Sequence, residues 1–145
     1  MTLLIRPASR SDATGIRRIY EELHRPPRPL RISEYIVAAV PAGIVGCAAV
    51  HMFKGGGYLY GLAVQRESQR CGVGSALTGE RLDLIRGKGQ TLAVVLAMFW
   101  NVGFFSKLGF HLVRRGQLPV PVRRLADFCN PRYKHSAVLW RLLES

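Results

Sequence analysis

The sequence predicts an α/β fold, a mixed and mostly antiparallel central sheet with helices on both faces. Three observations carry this. Short apolar runs follow one another from Tyr35 to Val64 with turn residues between them, a strand–helix–strand alternation follows, and no internal repeat divides the chain. The 145 residues suffice for one compact domain, read here as 1–145, and the hydrophobic (48%) and charged (21%) fractions disfavour disordered, collagen-like and coiled-coil chains.

Leu3 to Arg6 reads as a short strand ended by Pro7. Ser11 or Asp12 caps a helix through Glu22, with Ile16, Ile19, Tyr20 and Leu23 at helical spacing. Arg25-Pro26-Pro27-Arg28-Pro29 cannot continue that helix, because proline removes a backbone donor and biases its predecessor to extended geometry. Tyr35 to Val40 and Ile44 to Phe53 form a hairpin across Pro41-Ala42-Gly43, and Gly55-Gly56-Gly57 turns the chain into Tyr58 to Val64. These read as three sequential antiparallel strands. A helix from about Gly74 to Arg86 is stopped by Gly87-Lys88-Gly89, and Leu92 to Met98 is apolar on both faces, as a buried strand is. A short helix from Phe104 to Leu108 ends at Gly109, and Phe110 to Val113 and Ala137 to Leu142 are the last strands.

Twenty-one basic residues against nine acidic ones give a net charge of +12, and 17 of the 21 are Arg. An anionic partner is expected, since the planar guanidinium makes paired hydrogen bonds to phosphate or carboxylate. Nucleic acid is disfavoured, because no helix-turn-helix or aromatic RNA platform is present. The apolar stretches 36–50 and 92–100 are broken or too short to cross a bilayer, and no secretory signal precedes the first strand, so a cytoplasmic protein is expected. Cys47, Cys71 and Cys129 are widely spaced, with no pair at metal-ligand or redox spacing, so reduced thiols and no metal are expected.

The sharpest local signal is Gln69-Arg70-Cys71-Gly72-Val73-Gly74-Ser75-Ala76-Leu77, which follows a strand and opens a helix. Two glycines admit close backbone approach, and first-turn amides reinforced by the helix dipole face any anion placed there. That describes a pyrophosphate cradle. The segment lacks the Gly-Lys-Ser/Thr of a P-loop and the third glycine of a dinucleotide fingerprint, where Leu77 stands instead.

These residues resemble motif A of the GNAT superfamily of N-acetyltransferases, in which Leu62-Ala63-Val64, a loop and Gln/Arg-x-x-Gly-x-Gly bind acetyl-coenzyme A. Phe104-Phe105-Ser106-Lys107-Leu108-Gly109-Phe110 is similar to motif B. The chain also resembles short N-acetylglutamate synthases and small amino-acid or arsenic-resistance acetyltransferases in Ile44-Val45-Gly46-Cys47-Ala48-Ala49, Leu118-Pro119, and a tail bearing Cys129, Pro131-Arg132-Tyr133 and His135-Ser136. It departs from them at Ser136, where they often carry a second Cys, and at Tyr58, where they often carry a strand Glu considered a base. Arg66 and Arg70 replace a usual Pro and Gly and add charge beside the diphosphate.

The resemblance implies a GNAT fold with a splayed cleft between the fourth and fifth strands, acetyl-coenzyme A as cosubstrate, and a small-molecule amine as acceptor. A peptide or protein acceptor and a coenzyme A-binding regulatory module remain open, and a homodimer is compatible with all three. The implied coenzyme contacts are Leu62, Ala63, Val64, Gln69, Arg70, Cys71, Gly72, Val73, Gly74, Ser75, Phe104, Phe105 and Lys107. In the family's chemistry a neutral amine attacks the thioester, a backbone amide near Leu62 stabilises the oxyanion, and a motif B Tyr protonates the thiolate. Phe105 occupies that Tyr position and has no proton to give.

Tyr60 and His51 are the expected bases, acting directly or through water. Arg31, Arg114, Arg115 and Arg132 are candidates to clamp a substrate carboxylate, while His24, His111 and His135 read as surface residues. Helical spacing places Glu80 amid the Val73, Ala76, Leu77 and Leu84 stripe, either facing inward with a partner or at the edge of the stripe with a salt bridge.

Overall fold

The structure is a computed structural model that describes residues 2–144. Its strands are β1 (Leu4–Pro7), β2 (Tyr35–Val40), β3 (Gly43–Phe53), β4 (Gly56–Val64), β5 (Leu92–Ala97), β6 (His111–Val113) and β7 (Ala137–Leu142). They form a mixed sheet in the order β1-β2-β3-β4-β5-β7-β6. The helices are α1 (Ala13–Glu22), α2 (Val73–Gly87), α3 (Val102–Lys107), α4 (Val120–Arg123) and α5 (Ala126–Cys129). A mixed sheet with helices is the architecture the sequence predicts. The described residues group into two compact units: one holds those up to Val50 with Gly61–Arg81, the other His51–Tyr60 with those from Leu82 onward.

In the first unit β2 pairs antiparallel with β1, from Leu4↔Ala39 to Pro7↔Ile36, and with β3, where the register shifts at Ala38/Ala39. Pro7 closes β1 at an outer strand, where its missing donor is tolerated. The helix α1 buries Ile16, Ile19 and Tyr20, the face its spacing marked. Ile36, Ala38, Val45 and Ala48 pack with Val73 and Leu77, which anchor the start of α2, and Ile5, Val40, Leu62 and Val64 fill in around them.

In the second unit β4 runs parallel to β5 from Gly56↔Leu92 to Leu59↔Val95. β7 pairs antiparallel with β5 over six residues and with β6 over three. The segment between β6 and β7, left without elements in the sequence reading, folds into α4, α5 and short 3-10 turns. Leu118 and Val122 are buried there with Tyr58, Leu92, Val94 and Val138, and Leu125 and Phe128 pack against them. Phe105 of α3 stacks edge-on against Phe104 and Phe110.

Asp12 fixes the entry to α1. Its carboxylate accepts from both Arg6 terminal nitrogens (2.8 and 3.0 Å) and from the Ser9 amide (2.7 Å). The Arg6 guanidinium, outweighing the desolvation of a buried acid, lowers the Asp12 pKa to about 2. Because the folded value is depressed, the stabilisation is present above the unfolded value near 3.8 and lost as pH falls towards 2. The midpoint of thermal unfolding, followed by circular dichroism, is expected to fall in that window, and Asp12→Asn is expected to lower it at pH 7 while flattening the acid limb.

Candidate functional site

The strand β4 changes direction at Gly61, whose φ of +69° is a left-handed conformation that an L side chain rarely adopts. Space forbids a side chain as well: a β-carbon there would lie 2.6 Å from the Tyr20 hydroxyl and 3.0 Å from that of Tyr35. The Gly61 carbonyl accepts a hydrogen bond from Tyr20 (2.7 Å) and a weaker one from the Cys47 thiol (3.6 Å), and the two tyrosine hydroxyls are 2.9 Å apart. Burial pushes the Tyr20 and Tyr35 hydroxyls above the ordinary tyrosine value and the Cys47 thiol up to about 11. All three keep their protons at neutral pH and serve as donors, not bases. Ala63 is buried beyond the bend, and Leu62 and Val64 are half-buried.

From Val64 the chain passes through a 3-10 turn, Arg66–Ser68, to the expected cradle. The Gln69 side-chain amide donates to the Val64 carbonyl (2.9 Å), folding the loop back on its own strand. Arg70 and Gly72 both have positive φ, +64° and +83°, on either side of Cys71. Residues 69–72 and Ser75 are exposed, Gly74 is half-buried and Val73 is buried. A β-carbon on Gly72 would meet nothing within 4 Å, so space is open above the loop. The Ala76 amide bonds to the Gly72 carbonyl (3.0 Å), which leaves the amides of Val73, Gly74 and Ser75 as those of the helix's first turn. Left-handed residues alternating ahead of a 15-residue helix concentrate N–H groups towards one point, a geometry that suits a diphosphate.

A pocket open to solvent is lined by Arg17, Tyr20, Glu21, Arg25, Pro27 and Arg28. The lining brings three arginines, one glutamate and Tyr20 together, and this is the same Tyr20 whose hydroxyl holds Gly61. Sequence reading treated the Arg25–Pro29 stretch only as a helix-breaking loop. The prolines that end α1 also hold Arg25 and Arg28 beside it, and that pairing was the available signal.

In the second unit Tyr60 is half-buried with its ring stacked on Tyr58 (centroids 5.7 Å apart, planes 16° apart). His51 is half-buried on β3, Phe105 is buried in its aromatic trio, Phe104 is half-buried and Lys107 is exposed. Of the expected clamps, Arg31, Arg114 and Arg132 are exposed. Arg115 is half-buried, donates to the Tyr133 carbonyl and lies over the Phe128 ring. His24, His111 and His135 are exposed, as expected, and so is Glu80. The buried polar residue of α2 is its neighbour Arg81, which reaches the Glu34 carbonyl at 3.5 Å and whose Nε has no partner among the described residues. No cluster of three or more His, Cys, Asp or Glu that could hold a metal, and no helix long and apolar enough to cross a membrane, occurs among the described residues.

Residues 31–112 match the family model of the acetyltransferase (GNAT) domain, more than half of the chain, and the chain belongs to this family. Its fold is shared by N-acetylglutamate synthase from Neisseria gonorrhoeae, crystallised with coenzyme A and N-acetyl-glutamate, at 26% identity and a TM-score of 0.86 over 100% of this chain and 36% of that one. The chain therefore spans about a third of the length of that relative. Rv2747 from Mycobacterium tuberculosis, crystallised with CoA, is similar at 20% identity and a TM-score of 0.82, covering 97% of this chain and 99% of that one. Ard1 from Thermoplasma volcanium shares the fold at 21% identity and a TM-score of 0.77 over the whole of both chains. No curated protein matches the sequence. The expected GNAT fold is thereby met, and the parallel β4–β5 pair is consistent with its splay.

Replacing Gly61 with Ala forces a β-carbon onto the Tyr20 hydroxyl in a strained backbone. A loss of about 2–4 kcal/mol is expected in urea unfolding, whereas Tyr35→Phe, which leaves the Tyr20–Gly61 bond in place, is expected to cost about 1 kcal/mol.

Proposed function

We propose that the chain transfers the acetyl group of acetyl-coenzyme A to the amino group of a small acceptor that carries an acidic group, an amino acid or related metabolite, and that residues 1–145 act as one acetyltransferase domain. The observation that carries the acceptor class is the arginine pocket: Arg17, Arg25 and Arg28 offer charge-assisted, bidentate partners to a carboxylate. Family membership and the relatives crystallised with coenzyme A support the donor. N-acetyl-glutamate bound to the Neisseria gonorrhoeae enzyme, itself a doubly acidic product, agrees with the acceptor class.

In this reading the first-turn amides of α2 with Arg70, Cys71 and Gly72 hold the diphosphate, while Gln69 closes the loop on Val64. The strand edge Leu62-Ala63-Val64 carries the pantetheine arm, with Phe104, Phe105 and Lys107 of α3 completing the coenzyme contacts. Beyond the Gly61 bend the Leu62 amide meets the developing oxyanion. Tyr60 and His51 are the side chains read as receiving the amine's proton. The C–N bond forms as the C–S bond breaks, and coenzyme A leaves as thiolate.

Coenzyme release should be followed with glutamate, aspartate and their neutral amides as acceptors. Faster turnover of the acidic members is expected, with Arg28→Ala and Arg25→Ala raising KM about tenfold or more while kcat changes little. Equal turnover of acidic and neutral acceptors would remove the acidic class, and coenzyme A binding without transfer would mark a binding module. Gly72→Val, which places a branched side chain in the open space of the cradle, is expected to weaken coenzyme A by at least about tenfold in calorimetry.

A further inference from the structure

The hydrogen bonds that hold the bend in β4 have a direction, and it follows from counting protons. The Gly61 carbonyl has none to give, so the proton in its 2.7 Å bond is the hydroxyl proton of Tyr20. Tyr20 has no second proton, so in the 2.9 Å contact between the two hydroxyls Tyr35 is the donor. The result is a one-way chain of donors, Tyr35 to Tyr20 to the Gly61 oxygen, joined there by the Cys47 thiol at 3.6 Å. Tyr20 is 5% exposed and Tyr35 1%, so water competes little for these bonds. One donor is enough to satisfy a buried carbonyl, and this one has more than the bend requires.

The other half of the same peptide group is the Leu62 N–H. No cis peptide bond occurs among the described residues, so that N–H points opposite to the Gly61 carbonyl. The carbonyl faces Tyr20 of α1 and Cys47 of β3, and the N–H therefore faces away from β3. The chain beyond agrees: the Gln65 amide donates to the Val45 carbonyl of β3, and the alternation of N–H groups along a strand turns those of Leu62 and Val64 to the opposite edge. The ladder of β4 with β5 runs only as far as Leu59, short of the bend. Tyr20, Tyr35, Cys47, Gly61 and Leu62 all belong to the first unit, as does the arginine pocket that Tyr20 lines.

We propose that Tyr20, itself aligned by Tyr35, is a positioning residue that polarises the Gly61–Leu62 peptide and makes its N–H a stronger donor to the developing oxyanion. This rests on the acetyl-transfer reading above, which gives the oxyanion to the Leu62 amide, and adds what tunes that amide. Hydrogen bonds on a carbonyl oxygen draw the peptide towards its charge-separated form, and donors linked in a chain reinforce one another by about 10–30% per bond. As the neutral amine forms the C–N bond, the thioester carbonyl's electron pair moves to oxygen, and the Leu62 N–H holds that oxygen without giving up its proton. The pair returns as the C–S bond breaks, and the excess proton on nitrogen ends on the departing thiolate. Tyr20 keeps its own proton throughout, because burial disfavours the phenolate.

The test uses the full chain with Tyr20→Phe, Tyr35→Phe or Tyr20→3-fluorotyrosine, the last a more acidic phenol and hence a stronger donor. Two readouts are taken: the carbonyl stretch of bound acetyl-coenzyme A, carbon-13 labelled at the thioester, by difference infrared spectroscopy, and kcat and KM for transfer to glutamate. Tyr20→Phe is expected to raise the stretching frequency and lower kcat about tenfold at little-changed KM for acetyl-coenzyme A, less than the loss of a whole oxyanion donor. Tyr35→Phe moves both readouts in the same sense by less, about two- to threefold in kcat, and Tyr20→3-fluorotyrosine moves both in the opposite sense. A role confined to holding the bend would not make frequency and rate follow donor strength together. One frequency in all four proteins, or a Tyr20→Phe loss that is weaker coenzyme binding at unchanged frequency, overturns the proposal and leaves Tyr20 as a support of the bend. Should Tyr20→Phe fail to fold, Tyr35→Phe and the fluorinated variant decide by the same order. Wild-type protein that binds acetyl-coenzyme A but releases no thiol to any amine brings down the acetyl-transfer reading and the proposal with it, an outcome separate from an active enzyme whose carbonyl frequency ignores Tyr20.

Discussion

One carbonyl organises the first unit. A strand that bends into the left-handed region turns a backbone oxygen out of its ladder, and a buried oxygen without donors costs more than the bend itself. Gly61 solves this with donors drawn from three elements, Tyr20 of α1, Cys47 of β3 and, through Tyr20, Tyr35 of β2. Their burial matters chemically as well as sterically, because desolvation disfavours the anionic forms and makes proton donation the only role these groups have at neutral pH. The bend is thus set by groups whose state does not change with physiological pH. Tyr20 also lines the arginine pocket, so one side chain belongs both to that pocket and to the bend of β4.

The surplus of arginine has several structural uses. Arg6 closes on Asp12 at the head of α1, Arg141 donates to the Leu108 carbonyl behind α3, and Arg115 stacks on Phe128. Arg81 is taken almost wholly out of water with a contact to the Glu34 carbonyl, and desolvation lowers its pKa as burial of a cation must. A planar, weakly hydrated guanidinium tolerates such places better than an ammonium. Net charge alone therefore pointed to an anionic partner without saying which arginines gather in one place. Arg17, Arg25 and Arg28 were found only once their side chains lined a common space.

The fold was legible where periodicity is strong. Tyr35–Val40 and Ala137–Leu142 were read to the residue, and α2 to within one residue at either end. The glycine run 55–57 was read as a turn, yet Gly56 and Gly57 are paired with Leu92 and Ala93, because a strand packed this closely to its neighbour excludes side chains instead of merely lacking them. The stretch from Arg114 to Ser136 gave no elements, since its helices are four residues long and separated by turns, too short for a helical period to show. Its apolar spacing, Leu118, Val122, Leu125 and Phe128, was nonetheless the trace of a packed face. In the site, the glycine loop ahead of α2 was legible because glycine placement between strand and helix is a local property. The arginine pocket and the Tyr20–Gly61 bond join residues distant in sequence or hidden among prolines, and pattern alone does not bring them together.

Phe105 bears on the proton inventory of the acetyl transfer proposed above. Its ring is enclosed by Phe104 and Phe110, so it contributes packing and no acid. A thiol's ordinary pKa lies near 8.5, so a thiolate is a tolerable leaving group at neutral pH, far better than the nitrogen anion that would leave in the reverse sense. Collapse of the tetrahedral intermediate therefore goes forward without an acid provided that nitrogen has shed its protons. The demanding step is at the other end, where an ammonium with a pKa well above 7 must be neutral before it can attack. A site without an acid still turns over, whereas one without a base is confined to the small fraction of free amine.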